Sequence, residues 1–157
     1  MTPLTDKTQT GRTGRRKKGS AMVEFAIVAS VLLLLMGGAG DFARVFFNAI
    51  TVANASSTGA FWGTYNNVRA AQTASQETAA EDDARNVGAG VSATSTMYCE
   101  CTNGNSTNCL NPNCSSANGP MRVYAKTIVE QTVDTYMTWP GGPDGVVVNR
   151  ETHYRVQ

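Results

Sequence analysis

The stretch "RRKKGSAMVEFAIVASVLLLLMGGAG" occupies residues 15–40. Four cations, Arg15 to Lys18, stop at Gly19, and an apolar run begins in which Glu24 is the only ionisable side chain. As a helix, residues 19–40 extend about 33 Å, enough for the hydrocarbon core of a bilayer. The cations on the N-terminal flank put that end in the cytoplasm by the positive-inside rule, so the chain beyond Asp41 is expected outside the cytoplasmic membrane. A cleaved secretory signal is the competing reading, with Gly38-Ala39-Gly40 as a loose small-x-small site. The apolar run is longer than a usual signal core and the site lacks its usual alanines. Arg15-Arg16 is followed by Lys17-Lys18-Gly19 and not by a hydrophobic residue, so a twin-arginine signal fits poorly too.

The 157 residues suit one domain of ordinary size. The formal charge of +1 conceals an asymmetry. Residues 1–18 carry six cations against one acid, a net of +5, and the remainder seven cations against eleven acids, a net of −4. The basic block is an address or tether. It lies beside a hydrophobic run with no interleaved aromatics, which argues against a nucleic-acid surface. Cys99, Cys101, Cys109 and Cys114 all fall in the exported part, where thiols are usually oxidised.

Gly19-Ser20-Ala21-Met22-Val23-Glu24-Phe25 resembles a class III type IV prepilin signal. Beyond it, Val23-Glu24-Phe25-Ala26, Asp41-Phe42-Ala43-Arg44, Asn54-Ala55 and Gly59-Ala60 resemble the N-terminal helix of TadE-like minor pilins and pseudopilins of the tight-adherence (Tad, Flp, type IVc) pilus system. The likeness covers residues 15–63 well and the rest in outline. Ser30 stands where many members have proline, and Phe61 where an arginine commonly follows Gly-Ala.

The resemblance implies cleavage by prepilin peptidase between Gly19 and Ser20, with Glu24 and Phe25 as assembly residues. It further implies a single-pass protein of the bacterial inner membrane with a periplasmic C-terminal domain, available for incorporation into an extracellular pilus. The implied partners are prepilin peptidase, other pilins and pseudopilins, the pilus assembly platform and membrane lipid. No cofactor, no metal and no nucleic acid is implied. The rival from another class is a signal-anchored exported binding or enzymatic domain that is never processed as a pilin.

Glu24 also has a physical rationale. An acid at the centre of a membrane helix costs about 2.5–3.5 kcal/mol on translocon scales, but six residues from Lys18, about 9 Å along the axis, the position is shallow and costs less. Cleavage would give Ser20 a new α-ammonium, which a neighbouring subunit's Glu24 could meet only in the right register. The plainer alternative is a glutamate snorkelling to the interface.

The expected organisation is α+β. It comprises a leader at 1–19, a long helix at 20–63 with its membrane part at 20–40, a polar linker with a short helix at 64–90, and a small β-rich domain at 91–157. Phe42, Val45, Phe46, Ala49, Val52 and Ala53 form an amphipathic stripe. Phe42, Phe46, Phe47, Trp62 and Tyr65 read as packing and interfacial residues before any cofactor box. Gly59-x-x-x-Gly63 matches a helix-pairing pattern but lies outside the apolar run. Thr73-x-x-Gln76 predicts a capping box, Ala80, Ala84 and Val87 share a face, and Gly88 or Gly90 ends that helix. Glu81-Asp82-Asp83 reads as a solvated face, because adjacent residues diverge around a helix.

Period-two patterns predict an antiparallel sheet from strands near 94–102, 121–136 and 146–156, with a turn cluster at Trp139–Gly145. Cys99 and Cys101 are too close in sequence for a usual zinc pair, and point to one side of a strand, so two disulfides are expected. A nested hairpin suggests Cys99–Cys114 with Cys101–Cys109; Cys99–Cys109 with Cys101–Cys114 is the alternative. Either pairing staples a loop too polar to order itself by burial. His153, the single histidine, lacks any nucleophile motif beside it, so no catalytic residue is assigned.

Overall fold

The computed structural model describes residues 16–88, 90–115, 119–136 and 145–157. The basic leader up to Arg15 and most of the Trp139–Gly145 cluster lie outside the described residues. The chain divides between Gly40 and Asp41 into two compact units.

Helix α1 spans Arg16–Trp62. In the first unit its side chains are bare: Met22, Phe25, Ile27, Leu33, Leu35 and Met36 are all exposed. Its apolar window has a mean hydropathy of 2.2, and it is the one described helix long and apolar enough to cross a membrane. Eleven such large apolar side chains cannot face water at acceptable cost, so lipid or neighbouring helices must cover them.

The second unit is α+β. A 3-10 turn at Gly63–Tyr65 leads to α2 (Asn67–Ala71) and α3 (Thr73–Asp83). Strands β1 (Val91–Cys101), β2 (Ser106–Thr107), β3 (Met121–Asp134) and β4 (Gly145–Arg155) make one antiparallel sheet in the order β2-β1-β3-β4. The three expected strands are therefore present, and a short fourth joins them at the cysteine turn. Alternation along β3 sends Ala125, Thr127, Val129, Gln131 and Val133 inward.

The inner face packs on α1 through only part of the expected stripe: Val52 is buried and Val45, Ala49 and Ala53 are half-buried. Phe42 and Phe46 are exposed, and the buried positions are Asp41, Asn48, Val52, Ala55, Ser56, Gly59, Ala60 and Gly63. The covering strand β3 comes close enough that small side chains, not phenylalanines, fit beneath it. Val52, Ala55, Ala80, Ala84 and Val129 form one core cluster, and Ala70, Ala125 and Val156 another.

Two local expectations change. Thr73 is not a helix cap: the N-cap of α3 is Gln72, and no side chain caps it. Gln76 instead turns inward, fully buried, and its Nε2 donates to the carbonyls of Arg69 and Ala70 at 3.0 and 2.9 Å. Both carbonyls belong to the last turn of α2, and that of Arg69 also accepts from the Gln72 amide at 3.0 Å. Helix α3 itself stops at Asp83, and a 3-10 turn at Arg85–Val87 intervenes before Gly88, whose φ is +97°.

Candidate functional site

Gly19 lies within the helical stretch, and a Cβ added there would meet no atom within 4 Å. The Ser20 hydroxyl donates to Glu24 Oε1 at 3.3 Å. One helical turn separates the two residues, so both lie on one face. Phe25 is next to them and exposed. Ser30 turns its hydroxyl back onto the Ile27 carbonyl at 2.8 Å, which satisfies a polar group inside the apolar run.

The second site is the seam between α1 and the sheet. Asp41 Oδ1 accepts from the Tyr136 backbone N at 2.9 Å. Arg44 Nη1 donates to the Asp134 carbonyl at 3.3 Å, and its guanidinium lies 4.1 Å over the Tyr136 ring. The Asp41-Phe42-Ala43-Arg44 motif thus holds the C-terminal end of β3 from two directions. Further along α1, the Ser56 and Thr152 hydroxyls share a 2.8 Å hydrogen bond that reaches β4. A Cβ on Gly59 would come 2.9 Å from both the Gln76 carbonyl and Thr127 Cγ2, and one on Gly63 would come 2.5 Å from the Ala125 Cβ. Gly59-x-x-x-Gly63 is therefore the place where α1 meets α3 and β3, a role inside the second unit that the helix-pairing pattern did not reveal.

At the other end of the sheet Cys99 bonds Cys109 and Cys101 bonds Cys114. This is the alternative arrangement, and the nested Cys99–Cys114 with Cys101–Cys109 is not formed. The register explains why. The turn after Cys101 is tight, with Cys101 N donating to the Asn105 carbonyl and Gly104 at φ +87°. Strand β2 then sets Thr107 opposite Cys99. Cys109 is two residues further, on the same side, so it falls beside Cys99 and has already passed Cys101. Asn108 Oδ1 accepts from the Leu110 and Asn111 amides, which turns the chain back towards Cys101 for Cys114 to close.

Other expected features carry no chemistry. Among the described residues no group of three or more His, Cys, Asp or Glu could hold a metal. Glu81, Asp82 and Asp83 are exposed; Asp82 pairs with Arg85 and Asp83 accepts from Thr58. His153 sits edge-on to Tyr98 and Tyr124, 6.3 Å from each ring, on the sheet face away from α1. Trp62 and Tyr65 hold the Arg69 guanidinium at 5.0 and 4.9 Å, and Phe42 stacks on Phe46 at 6.2 Å. Burial pushes the Tyr98 phenol above its usual 10.0, with Glu100 adding to the effect. A cavity of about 500 Å³ opens between α2, the sheet and the cysteine loop, lined by Val68, Met97, Leu110, Met121 and Val123 among others.

Sequence reasoning set Gln76 in a capping box and missed its burial against α2, and it underrated Gly59 and Gly63. A glutamine gives no signal of burial. The glycines did signal close approach, but not what approaches.

Residues 19–60 match the family of TadE-like proteins. The match lies on the long helix and its first turns towards the second unit, so the likeness to TadE-like proteins is a likeness of that helix. Neither curated proteins nor solved structures gave a match to the chain.

Proposed function

We propose that this chain is a minor pilin or pseudopilin of a Tad (Flp, type IVc) pilus, used in pilus assembly and surface adherence. The observation that carries the reading is one continuous TadE-like helix. It begins with a basic block and a glycine, bears one carboxylate at the fifth position after that glycine, and then stays bare and apolar to Gly40. Prepilin peptidase cuts between Gly19 and Ser20 on the cytoplasmic face and releases residues 1–19. Residues 20–40 remain in the inner membrane, the helix continues to 63, and the linker at 64–90 and the β-rich domain at 91–157 lie in the periplasm.

The chemistry of assembly follows from that cut. Ser20 gains an α-ammonium one turn from Glu24. The ammonium of one subunit and the Glu24 carboxylate of the next form a pair of opposite charges in a low-dielectric bundle. Such a pair is attractive only when the axial register is right, so it selects register more than it adds stability. Phe25 packs beside it. Other pilins and pseudopilins, the assembly platform and lipid are the partners, and the role is mechanical, with no catalytic step.

N-terminal sequencing of the mature protein tests the reading. Ser20 as the first residue supports it; Met1 or Asp41 as the first residue overturns it. Gly19→Val should block the cut, because a branched side chain hinders the close backbone approach that glycine allows. The mutant would then run about 19 residues larger, by the leader length expected from the signal.

A further inference from the structure

The two edges of the sheet are treated differently. On the β1 side, β2 pairs with Cys99 and Glu100. The rest of that edge is capped by α3: Glu81 Oε1 accepts from the Ala93 amide at 3.3 Å and Glu77 Oε1 from the Ser95 amide at 2.8 Å. Glutamates four apart on the helix meet strand amides two apart, a match of the two repeats (about 6 Å against about 6.6 Å). This blocks strand addition where β1 would otherwise invite it.

Among the described residues strand β4 has no such cover. It pairs with β3 without a bulge from Gly145 opposite Asp134 to Arg155 opposite Tyr124. Among the described residues no backbone or side-chain group bonds to its outer edge. It contains no proline and no lysine, and Val147 is 56% exposed. Glu151 is tied to Lys126 at 2.8 Å, while Arg150 and Arg155 are exposed and make no ion pair among the described residues. A long, regular, open edge with unspent cations is a template for another strand.

We propose that β4 is a docking edge for an extended, acidic segment of a different polypeptide, which adds a fifth strand to the sheet by backbone hydrogen bonding. Charge selects the occupant. Full-length antiparallel pairing of β4 with a second copy of itself sets Arg150 opposite Arg150, a like-charge pair that destabilises a sheet. Head-to-tail pairing of copies needs the β1 edge, which Glu77 and Glu81 occupy. A foreign strand with carboxylates opposite Arg150 and Arg155 meets neither obstacle. The inference stands apart from the processing of the N-terminus.

The test uses the full chain in detergent and a synthetic peptide of about nine residues, alternating threonine and valine, with two glutamates five positions apart. Amide hydrogen exchange is followed along β1 and β4. Alternate β4 amides, those not bonded to β3, should gain protection on adding the peptide, while Ser92 to Thr96 stay unchanged. A peptide with lysines in place of the glutamates should need roughly tenfold higher concentration for the same protection. Arg150→Glu combined with Arg155→Glu should reverse that preference. The proposal is overturned by absent β4 protection, by equal protection on β1, or by equal action of the lysine peptide. Protection that appears without peptide and grows with protein concentration would assign the edge to a second copy instead, and equally overturn it.

Discussion

Asp41 and Tyr136 are 95 residues apart in the chain and one hydrogen bond apart in the fold, with Asp41 Oδ1 accepting from the Tyr136 amide at 2.9 Å. Arg44, one turn on, reaches the Asp134 carbonyl and stacks on the Tyr136 ring. Asp41 is 7% exposed, so water replaces little of what a mutation removes. Asp41→Ala should lower the stability of the second unit by about 1.5–3 kcal/mol, the worth of a hydrogen bond to a charged group. Asp41→Asn keeps an acceptor oxygen and should lose less. Urea denaturation of the full chain in detergent, followed by tryptophan fluorescence, checks the order. Equal loss in both variants would show that the acceptor is not what matters.

Glycine substitutions should divide by unit. Gly63→Ala puts a methyl group 2.5 Å from the Ala125 Cβ and should cost about 1–3 kcal/mol through overpacking. The gain in helix propensity, about 1 kcal/mol at most, does not offset it. Gly38→Ala and Gly40→Ala meet nothing within 4 Å and should leave the second unit's denaturation midpoint unmoved.

The fold was legible where pattern and physics coincide. The apolar run and period two in β3 are each set by local composition, and each appears as read. The packing face of α1 was legible only in part, because hydrophobicity pointed to Phe42 and Phe46 while the sheet required the small residues one face round. Choosing between those faces takes knowledge of how near β3 comes, which no single segment encodes. The role of Asp41 and Arg44 was hidden for the same reason: their partner Tyr136 lies at the far end of the chain. The cysteine pairing failed on register. A tight turn straight after Cys101 carries Cys109 past it, and only the position of β2 reveals that.

Tyr98 gives the domain an alkaline limit. Its phenol is raised above the usual 10.0, by burial first and then by Glu100, Tyr124 and Glu151. The folded state therefore keeps a proton that the unfolded chain releases sooner. The stabilising contribution is complete below about pH 10 and is lost as pH climbs from there towards the folded value. Tyr98→Phe should flatten the fall of the urea midpoint over that window. An unchanged slope would mean that other groups carry it.

The disulfides make a separable prediction. Peptide mapping of the unreduced protein should link Cys99 to Cys109 and Cys101 to Cys114, with no thiol open to alkylation after denaturation. Losing a disulfide from a small exported domain costs about 2–5 kcal/mol. Cys99→Ser should accordingly reduce the steady-state amount of the domain and, under the proposed topology, leave the cut after Gly19 unaffected, since that cut would occur on the other side of the membrane. Recovery of the nested linkage Cys99–Cys114 would contradict the register of β2 against β1.

Glu24 offers the sharpest separation of processing from assembly. Its side chain is exposed and lies one turn from Ser20, whose hydroxyl donates to it. Under the proposed mechanism Glu24→Ala removes the carboxylate that the next subunit's α-ammonium requires, yet leaves the glycine at the cut site intact. The mutant should mature to a chain starting at Ser20, and its amount in sheared pili should fall at least about tenfold, because an ammonium left unpaired in a low-dielectric bundle is strongly unfavourable. Glu24→Gln, which keeps shape without charge, should behave like Glu24→Ala. Glu24→Asp should recover part of the incorporation, because it keeps the charge on a shorter stem. Normal incorporation of the alanine variant would reduce Glu24 to a glutamate that snorkels to the membrane surface, with register set by packing alone.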